Sequence, residues 1–454
     1  MRRIHFVGIG GIGMSGLAEF TRSRGYEVTG SDATESENTR TLRANGIPVA
    51  IGHAAEHIGD ADLVVYSSAV SPDTNPETLE ARRRGIPLIR RSELLAHVTR
   101  LGKSLAIAGT HGKTTTTSLC GLVLVEAGFD PTVIVGGRLT DFGGSNARIG
   151  RGEWFVVEAD EYDRSFLHLT PTIAVITNIE PEHLDIYGSF DAVQDAFTQF
   201  AHNVSLLGTV ILSGDDPVCR RLASALPHRT ITYGFSEGCT VRAEHFQQQG
   251  TIASADIVVH GEMLGSLQLR IPGKHNIANA LAAVAVGYEL DIPFSTIQHA
   301  LSSFCGVIRR FQVLGQRNGA VVIDDYAHHP TEVRATLQTA RIVYPDRRLI
   351  AIFQPHTYTR TRDFAQAFAD ELSAADIAIV TDVYAAREAP LEGISGQCIA
   401  VALQRNHRPV LYAPRLEDVR RCVGELIGSG DVVVTMGAGN IVRIAQWLAH
   451  GADD

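Results

Sequence analysis

The chain has 454 residues, of which 44% are hydrophobic, and a formal net charge of −10 at pH 7. This length predicts about three domains, and the negative charge argues against nucleic acid or an anionic membrane surface as the main partner. Six cysteines without a CxxC pair suggest neither a zinc cluster nor a disulfide scaffold. The absence of a long apolar run favours a cytoplasmic protein with no membrane segment.

The first predicted domain, residues 1–100, opens with a strand, a glycine-rich turn and a helix. The turn reads GIGGIG over residues 8–13, and a second strand ends at Asp32. This spacing is typical of dinucleotide or diphosphate binding, although a tight glycine turn without a ligand has the same sequence. A third strand over 63–66 ends before two serines, which could contact phosphate or sugar or cap a helix. The candidate ligand residues are Gly10, Gly11, Gly13, Asp32, Ser67 and Ser68.

The most informative segment is AGTHGKTTT, residues 108–116, in the second predicted domain, 101–310. It lies between an apolar strand and a helix that ends near Gly128, a frame in which backbone N–H groups and the helix N-terminus can bind phosphate. The loop is shorter than the usual phosphate loop, because Gly109 lies only three residues before Gly112. In such loops the lysine pairs with the outer phosphates and the next hydroxyl binds Mg²⁺. We therefore predict nucleotide triphosphate contacts at Gly109, Thr110, His111, Gly112, Lys113, Thr114 and Thr115.

Two further strands of this domain end in polar segments, EADEYD at 158–163 and TNIEPEHLD at 177–185. Both ends should lie beside the phosphate loop, and clustered carboxylates repel one another unless a cation is present. We predict a Mg²⁺ site from Thr114, Glu158 and His183, although imidazole is an unusual Mg²⁺ ligand. Each residue taken alone would be interpreted as a cap or a surface group. A later helix start carries Asn276 and Asn279 on one face, where an amide could match the adenine edge.

The last predicted domain, residues 311–454, alternates strands and helices, which predicts an α/β unit with a parallel sheet. The ends of two of its strands carry the segments 324–330, DDYAHHP, and 354–360, QPHTYTR. Clustered histidine, aspartate and arginine at strand ends suggest a ligand site rather than core. The segment 306–311 before this domain is the expected interdomain hinge.

Eight segments in order along the chain resemble the Mur ligase family: GIGGIGMSGLA, AGTHGKTTT, VEADEYDRSF, TNIEPEHLD, GKHNIANA, RRFQ, DDYAHHPTE and FQPHTYTRTRD. The resemblance covers all three domains. It implies an α/β fold with a Rossmann-like N-terminal domain, a central domain like a phosphate-loop ATPase and a Rossmann-like C-terminal domain. It also implies ATP-dependent amide-bond synthesis in peptidoglycan precursor assembly. The pattern is most similar to members that join L-alanine to UDP-N-acetylmuramate.

The resemblance also implies roles for individual residues. The glycines of the first domain, with Asp32 and the two serines, would hold the UDP diphosphate rather than NAD. Lys113, Glu158, His183 and Arg310 would be catalytic, with Mg²⁺ at the site and ATP as co-substrate. Asn279 and Asp325 would contact adenine and ribose, and the incoming amino acid would be held by His328, His356 and Arg360. We expect a monomer or homodimer that binds neither nucleic acid nor membrane.

Some features depart from the family pattern, and other functions compete with it. Several relatives carry a carbamoylated lysine where Thr198 lies here, and many have arginine at the position of Thr357. A nicotinamide-dependent dehydrogenase would explain the first domain but not the GKT loop. A sensor of UDP-sugar or ATP would explain both loops but not the carboxylates and histidines. Within the family, the alternative is a ligase that recycles murein tripeptide onto the same sugar nucleotide.

Overall fold

The chain forms two compact α/β units in the computed structural model, which describes residues 2–386 and 388–451. The first unit comprises the described residues up to Glu244 together with Asp256–Leu267 and Ala278–Phe304. The second comprises His245–Ala255, Gln268–Ile277 and the described residues from Cys305 onward. Among the helices of the described residues, none has both the length and the apolar character needed to span a membrane.

The first unit begins with a five-stranded parallel sheet in the order β3-β2-β1-β4-β5. Most residues of β1 and β4 are buried, as expected for parallel strands covered by helices on both faces. The glycine-rich turn follows β1 and leads into α1, so it lies at the carboxyl edge of the sheet. The elements are β1 (Arg3–Val7), α1 (Ile12–Ser23), β2 (Glu27–Asp32), α2 (Glu37–Ala44), β3 (Val49–Ile51), β4 (Leu63–Tyr66), α3 (Pro76–Arg83), β5 (Leu88–Arg90) and α4 (Arg91–Thr99).

A ten-stranded sheet follows, in the order β15-β14-β13-β12-β11-β10-β6-β9-β7-β8. Its elements are β6 (Lys103–Ala108), α5 (Lys113–Glu126), β7 (Thr132–Ile134), β8 (Ala147–Arg148), β9 (Trp154–Glu158), β10 (Ile173–Ile176), α6 (Leu184–Tyr187), α7 (Phe190–His202), β11 (Thr209–Ser213), α8 (Pro217–Ala225), β12 (Arg229–Gly234), β13 (Val241–Gln249), β14 (Ile252–Val259), β15 (Glu262–Leu269), α9 (Lys274–Glu289) and α10 (Phe294–Ser303).

Strand β6, which leads into the GKT loop, has β9 on one side and β10 on the other. Ile107 pairs with Glu158 of β9, and Ala108 pairs with Ile176 of β10, with both pairs of strands parallel. The segments after β9 and β10 therefore flank the loop. This confirms the expectation that both polar strand ends lie beside it.

The second unit contains a six-stranded sheet in the order β16-β17-β21-β18-β19-β20. Its elements are β16 (Gln312–Arg317), β17 (Ala320–Asp325), α11 (Pro330–Val343), β18 (Arg348–Phe353), α12 (Tyr358–Leu372), β19 (Ile377–Val380), α13 (Gln397–Arg405), β20 (Val410–Tyr412), α14 (Leu416–Leu426), β21 (Asp431–Met436) and α15 (Val442–His450). The five predicted strands pair in parallel, as expected, and a sixth strand that the sequence did not indicate, β16, pairs antiparallel to β17 at the edge. Strand β16 is half-exposed and partly polar, so its sequence lacks the continuous apolar run of the central strands.

Candidate active site

The turn between β6 and α5 is built on two glycines with positive φ. Gly109 has φ +137°, and an added Cβ would overlap the Thr177 hydroxyl. Gly112 has φ +81°, and an added Cβ would lie 2.6 Å from Asn279 Oδ1. Both conformations disfavour any residue with a side chain. Helix α5 begins directly after Gly112 without a side-chain cap, so its first N–H groups are available to an anion.

The segment after β10 holds this loop through side-chain and backbone hydrogen bonds. The N–H groups of Thr110 and His111 donate to the backbone and side-chain oxygens of Asn178, at 3.0 and 2.8 Å. Thr177 donates to the carbonyl of His111 at 2.6 Å, and Glu180 N–H donates to the hydroxyl of Thr110 at 2.9 Å. Asn178 engages two of the loop N–H groups and leaves those at the start of α5 available to an anion, where Lys113, Thr114 and the buried Thr115 lie.

Lys113 forms a buried ion pair with Glu161. Its Nζ lies 2.7 Å from Glu161 Oε2 and donates to the carbonyls of Gly109 and Thr110, at 2.5 and 3.2 Å. Only 16% of the lysine side chain and 3% of the glutamate side chain are exposed. Burial acts to lower the pKa of Lys113, but Glu161 and Asp160 outweigh it and raise the pKa. The sequence placed Glu161 in an acidic cluster without identifying it as the partner of Lys113.

Glu158 and His183 lie on the two flanking segments. Glu158 Oε1 accepts a hydrogen bond from Gly136 N–H at 2.8 Å, and burial raises the pKa of its carboxyl group against smaller opposing effects that include Thr114. His183 has φ +53°, directly before α6, and its Nε2 lies 3.9 Å from Glu161 Oε1. The structure thus brings Thr114 to Glu158, and His183 to Glu161.

The donor set fits a divalent cation on charge. The negative charge of Asp160 acts on both Glu158 and Glu161, and the positive charge of Lys113 acts on both as well. Burial raises the pKa of each glutamate, and the charge of Asp160 raises it further. Carboxylates whose charge is under-compensated in this way favour a bound cation, and oxygen ligands are those that Mg²⁺ prefers.

The glycine-rich turn of the first domain forms a separate site. Gly10 N–H donates to Asp32 Oδ2 at 2.8 Å, so Asp32 holds the turn against the end of β2. Ser67 follows β4, and its N–H donates to the carbonyl of Val7 at 3.0 Å. Gly11 precedes α1 without a side-chain cap. The exposed Ser68 follows Ser67, so all six predicted residues lie at the carboxyl edge of this sheet, where ligands bind in such folds.

An arginine that sequence analysis did not single out contacts this turn. An added Cβ at Gly13 would lie 3.0 Å from Arg91 Nη1, so the guanidinium packs directly on the helix start. Arg91 is the first residue of α4, which follows the edge strand β5. The sequence gives little indication of this role, because a strand of only three residues is hard to predict and Arg91 directly follows it.

Asn279 lies on α9 under the phosphate loop. Its Oδ1 accepts a hydrogen bond from the hydroxyl of Thr116 at 3.2 Å, and it is the atom nearest to an added Cβ at Gly112. The side chain therefore lies against the loop and the first turn of α5. This location is compatible with a nucleotide contact, and its role at adenine stays a prediction.

In the second unit, Asp325 holds the backbone at the end of β17. Its two carboxylate oxygens accept hydrogen bonds from the N–H groups of Phe311 and Ala327, both at 2.8 Å. Burial raises the pKa of Asp325 to about 6, although Arg310 and these N–H groups oppose the increase. Arg310 lies 3.4 Å from Glu332 and over the ring of Tyr326, 5.6 Å from its centroid.

The three residues predicted to bind the amino acid lie together. Arg360 Nη1 is 3.1 Å from His356 Nδ1, and the rings of His328 and His356 are 5.8 Å apart. His356 stacks on Tyr384 at 5.9 Å, which the sequence did not indicate. Thr357, which departs from the family pattern, has φ +66° and donates its N–H to the carbonyl of Tyr384 at 2.9 Å.

Comparison with known proteins identifies the class defined by this fold and these sites. The profile of the Mur ligase family, catalytic domain, matches residues 3–102, that of the Mur ligase middle domain matches 107–287, and that of the Mur ligase, glutamate ligase domain matches 309–439. The chain belongs to the Mur ligase family, which confirms the resemblance seen in its motifs.

Within the family, the chain is similar to members that act on UDP-N-acetylmuramate and alanine. The chain is 52% identical over 447 residues to UDP-N-acetylmuramate–L-alanine ligase of Salinibacter ruber, across 98% of this chain and 94% of that protein. The structure is similar to that of UDP-N-acetylmuramate-alanine ligase from Thermotoga maritima, with a TM-score of 0.84, 32% identity and coverage of 99% and 98% of the two chains. A murein peptide ligase from Psychrobacter arcticus has a TM-score of 0.74 at 26% identity, over 99% and 98%. The predicted three-domain α/β fold is confirmed; the domain boundaries at 100 and 310 stay predictions.

Proposed function

We propose that this chain joins L-alanine to the lactyl carboxylate of UDP-N-acetylmuramate, with consumption of ATP, in peptidoglycan precursor synthesis. The observation that carries the proposal is the uncapped start of α5, where Lys113 lies between loop carbonyls and a carboxylate cluster. A helix start and a lysine suit phosphate, and the carboxylates suit a cation. The 52% identity to a UDP-N-acetylmuramate–L-alanine ligase supports the particular substrates.

ATP is the co-substrate, and we assign its phosphates to the loop from Gly109 to Thr115. Lys113 would exchange its contacts with loop carbonyls for contacts with phosphate oxygens, at the N-terminus of α5, where the helix dipole also favours negative charge. Asn279, which lies under the same loop, is proposed to contact adenine. As the family resemblance implies, we assign ribose to Asp325 and a phosphate contact to Arg310.

We further propose that Thr114, Glu158 and His183 hold Mg²⁺. The cation would offset the charge of the phosphates during transfer. Burial raises the pKa of Glu158, so its carboxylate would be stabilised by a nearby cation. Thr114 would contribute a neutral hydroxyl as a further oxygen ligand. His183 would complete the site from the segment that follows β10.

The remaining two substrates fit the other two sites. The glycine-rich turn, with Asp32, Ser67 and Ser68, is assigned to the diphosphate of the sugar nucleotide. His328, His356 and Arg360 are assigned to L-alanine, because a guanidinium can hold a carboxylate through two parallel hydrogen bonds. Since ATP and sugar nucleotides are intracellular substrates, we propose that the protein works in the cytoplasm. Whether it is a monomer or a homodimer stays a prediction.

The reaction follows from these assignments. A lactyl carboxylate oxygen attacks the γ-phosphorus of ATP, the bond to the β-phosphate oxygen breaks, and ADP leaves. The amine of L-alanine then attacks the carbonyl carbon of the acyl phosphate. The tetrahedral intermediate expels inorganic phosphate, and the nitrogen loses its proton to give the amide. Lys113 and Arg310 would stabilise charge on the transferring group, which is the main requirement of phosphoryl transfer.

A substrate panel tests the proposal. Release of ADP and phosphate should require ATP, UDP-N-acetylmuramate and an amino acid together, and mass spectrometry should detect the L-alanyl product. The alternative recycling ligase is not favoured, since the murein peptide ligase is the more distant relative at 26% identity. Turnover with a tripeptide but not with L-alanine would contradict the proposed function.

A further inference from the structure

A loop between β7 and β8 connects the proposed metal site to the glycine-rich turn of the first domain. We call residues 135–146 the bridging loop. Near its start, Gly136 N–H donates to Glu158 Oε1 at 2.8 Å, and an added Cβ there would lie 2.5 Å from Glu158 Oε2. At its end, the Asn146 side chain donates to the carbonyl of Ile12 and accepts from the Ser15 hydroxyl at 3.3 Å. The loop is therefore hydrogen-bonded to both sites.

Arg138 lies in this loop two residues after Gly136. Its Nη2 donates to Asn38 Oδ1 at 2.6 Å, and its Nη1 forms an ion pair with Glu37. Asn38 in turn donates to the carbonyl of Gly10 at 2.7 Å, inside the glycine-rich turn. The guanidinium is thus one side chain away from the turn, at the first residues of α2.

The residues predicted to bind the diphosphate include no positively charged side chain. The six residues are glycines, serines and one aspartate, so their only full charge is negative. The N-terminus of α1 favours an anion through its dipole, since it has no side-chain cap and no acidic residue in its first turn, but it carries no full positive charge. Arg91 supplies one guanidinium at Gly13. A diphosphate bound at this turn would carry two negative charges, so a second cation on the Gly10 side would complete its recognition.

We propose that Arg138 binds the diphosphate of the sugar nucleotide and that Glu37 holds Arg138 in place until the substrate arrives. This rests on the proposed function. The ion pair can be exchanged readily, because 70% of the Glu37 side chain is exposed and exposed ion pairs contribute little stability. Only 23% of the Arg138 side chain is exposed, so its position is largely fixed by its surroundings. A diphosphate, like a carboxylate, offers oxygens that a guanidinium can bind through two parallel hydrogen bonds, and it carries two negative charges instead of one.

Calorimetric titration of the full chain with UDP-N-acetylmuramate, in the absence of ATP and L-alanine, tests the proposal. Arg138→Ala should weaken binding about ten- to a hundred-fold, since a charged hydrogen-bond pair is lost. Arg138→Lys should restore part of the affinity. Glu37→Gln should leave affinity unchanged or increase it a few-fold, because it removes only the competitor. The KM for ATP should stay within about two-fold of the wild-type value in all three variants.

Arg148 provides the matched control. It lies in β8 on the same hairpin and pairs with Asp130 at 2.7 Å, away from the turn, so Arg148→Ala should bind the sugar nucleotide normally. If Glu37→Gln weakens binding as much as Arg138→Ala does, the pair is a structural strap and the proposal is wrong. Normal binding by Arg138→Ala would overturn it as well. If the wild-type chain itself does not bind UDP-N-acetylmuramate, the proposed function fails instead.

Discussion

Replacing Lys113 by methionine should destabilise the first unit as well as abolish activity. Methionine keeps the length of the side chain but removes the charge that faces Glu161 at 2.7 Å. With 3% of its side chain exposed, Glu161 would keep a buried charge without its cation. Removal of one partner from a buried ion pair costs about 3–5 kcal/mol. The lost hydrogen bonds to the carbonyls of Gly109 and Thr110 act in the same direction.

The loss of unfolding free energy in Lys113→Met should depend on pH, because it depends on the ionisation of Glu161. Burial already raises the pKa of Glu161 in the native protein, and the charge of Lys113 opposes that increase. Without Lys113 the pKa should rise further. A carboxyl group whose folded pKa exceeds its unfolded value destabilises the folded state increasingly as pH rises above the unfolded value. The deficit in unfolding free energy should therefore be smaller near pH 5 than near pH 8.

The unfolding of the first structural unit can be followed separately from that of the second. Its two tryptophans are Trp154 in β9 and Trp447 in α15, so Trp154 fluorescence in a Trp447→Phe background reports unfolding of the first unit. Adding Glu161→Gln to Lys113→Met should recover most of the lost unfolding free energy, because position 161 then carries no uncompensated charge. ADP formation should not recover. Equal stability of Lys113→Met and wild type at pH 8, or no rescue by the second substitution, would refute this reasoning.

Three other substitutions test separate sites. Glu158→Gln should raise the Mg²⁺ concentration needed for half-maximal turnover, because a neutral amide is a weaker ligand; an unchanged Mg²⁺ titration would make the residue structural. Arg360→Ala should raise the KM for L-alanine about ten- to a hundred-fold, equivalent to a charged hydrogen bond of roughly 1.5–3 kcal/mol, whereas an equal rise for all three substrates would indicate a role in folding. Burial acts to raise the pKa of Glu77, but hydrogen bonds from His5 and Ser31 prevail and lower it to about 2. Its contribution to stability is therefore present above about pH 4.5 and lost as pH falls towards 2, so Glu77→Gln should flatten acid unfolding measured by circular dichroism over that range; an unchanged acid profile would contradict this.

The sequence predicted the strand ends that build the sites better than it predicted their internal contacts. Buried parallel strands such as β6, β9 and β10 are continuous apolar runs, so they could be located and their polar ends placed side by side. Short strands with few apolar residues, such as β5, were missed, and Arg91 was overlooked with it. The antiparallel β16 was missed because its exposed edge position requires no apolar run.

Which carboxylate meets Lys113 could not be read from spacing. The acidic cluster offers four candidates between Glu158 and Asp163, and the choice depends on a local backbone conformation. Asp163 and Arg164 have φ values of +53° and +59°, which turn the chain two residues after Glu161. Non-glycine residues adopt this region uncommonly, and sequence pattern gives little indication of it. Helix and strand periodicity therefore identified the cluster, whereas the pairing of Glu161 with Lys113 required the structure.

The shortened phosphate loop is explained by the segment after β10. A longer glycine-rich loop can direct several of its own N–H groups towards phosphate. Here the N–H groups of Thr110 and His111 donate to Asn178 instead, and the close approach of Thr177 requires glycine at position 109. The segment after β10 thus fixes the loop, and the uncapped start of α5 is left as the proposed anion site. Because the TNIEPEHLD segment supports the loop and also carries His183, the proposed phosphate and metal sites depend on the same strand end. Substitutions at Asn178 should accordingly raise both the KM for ATP and the Mg²⁺ concentration needed for half-maximal turnover, although Asn178 itself is assigned to neither ligand.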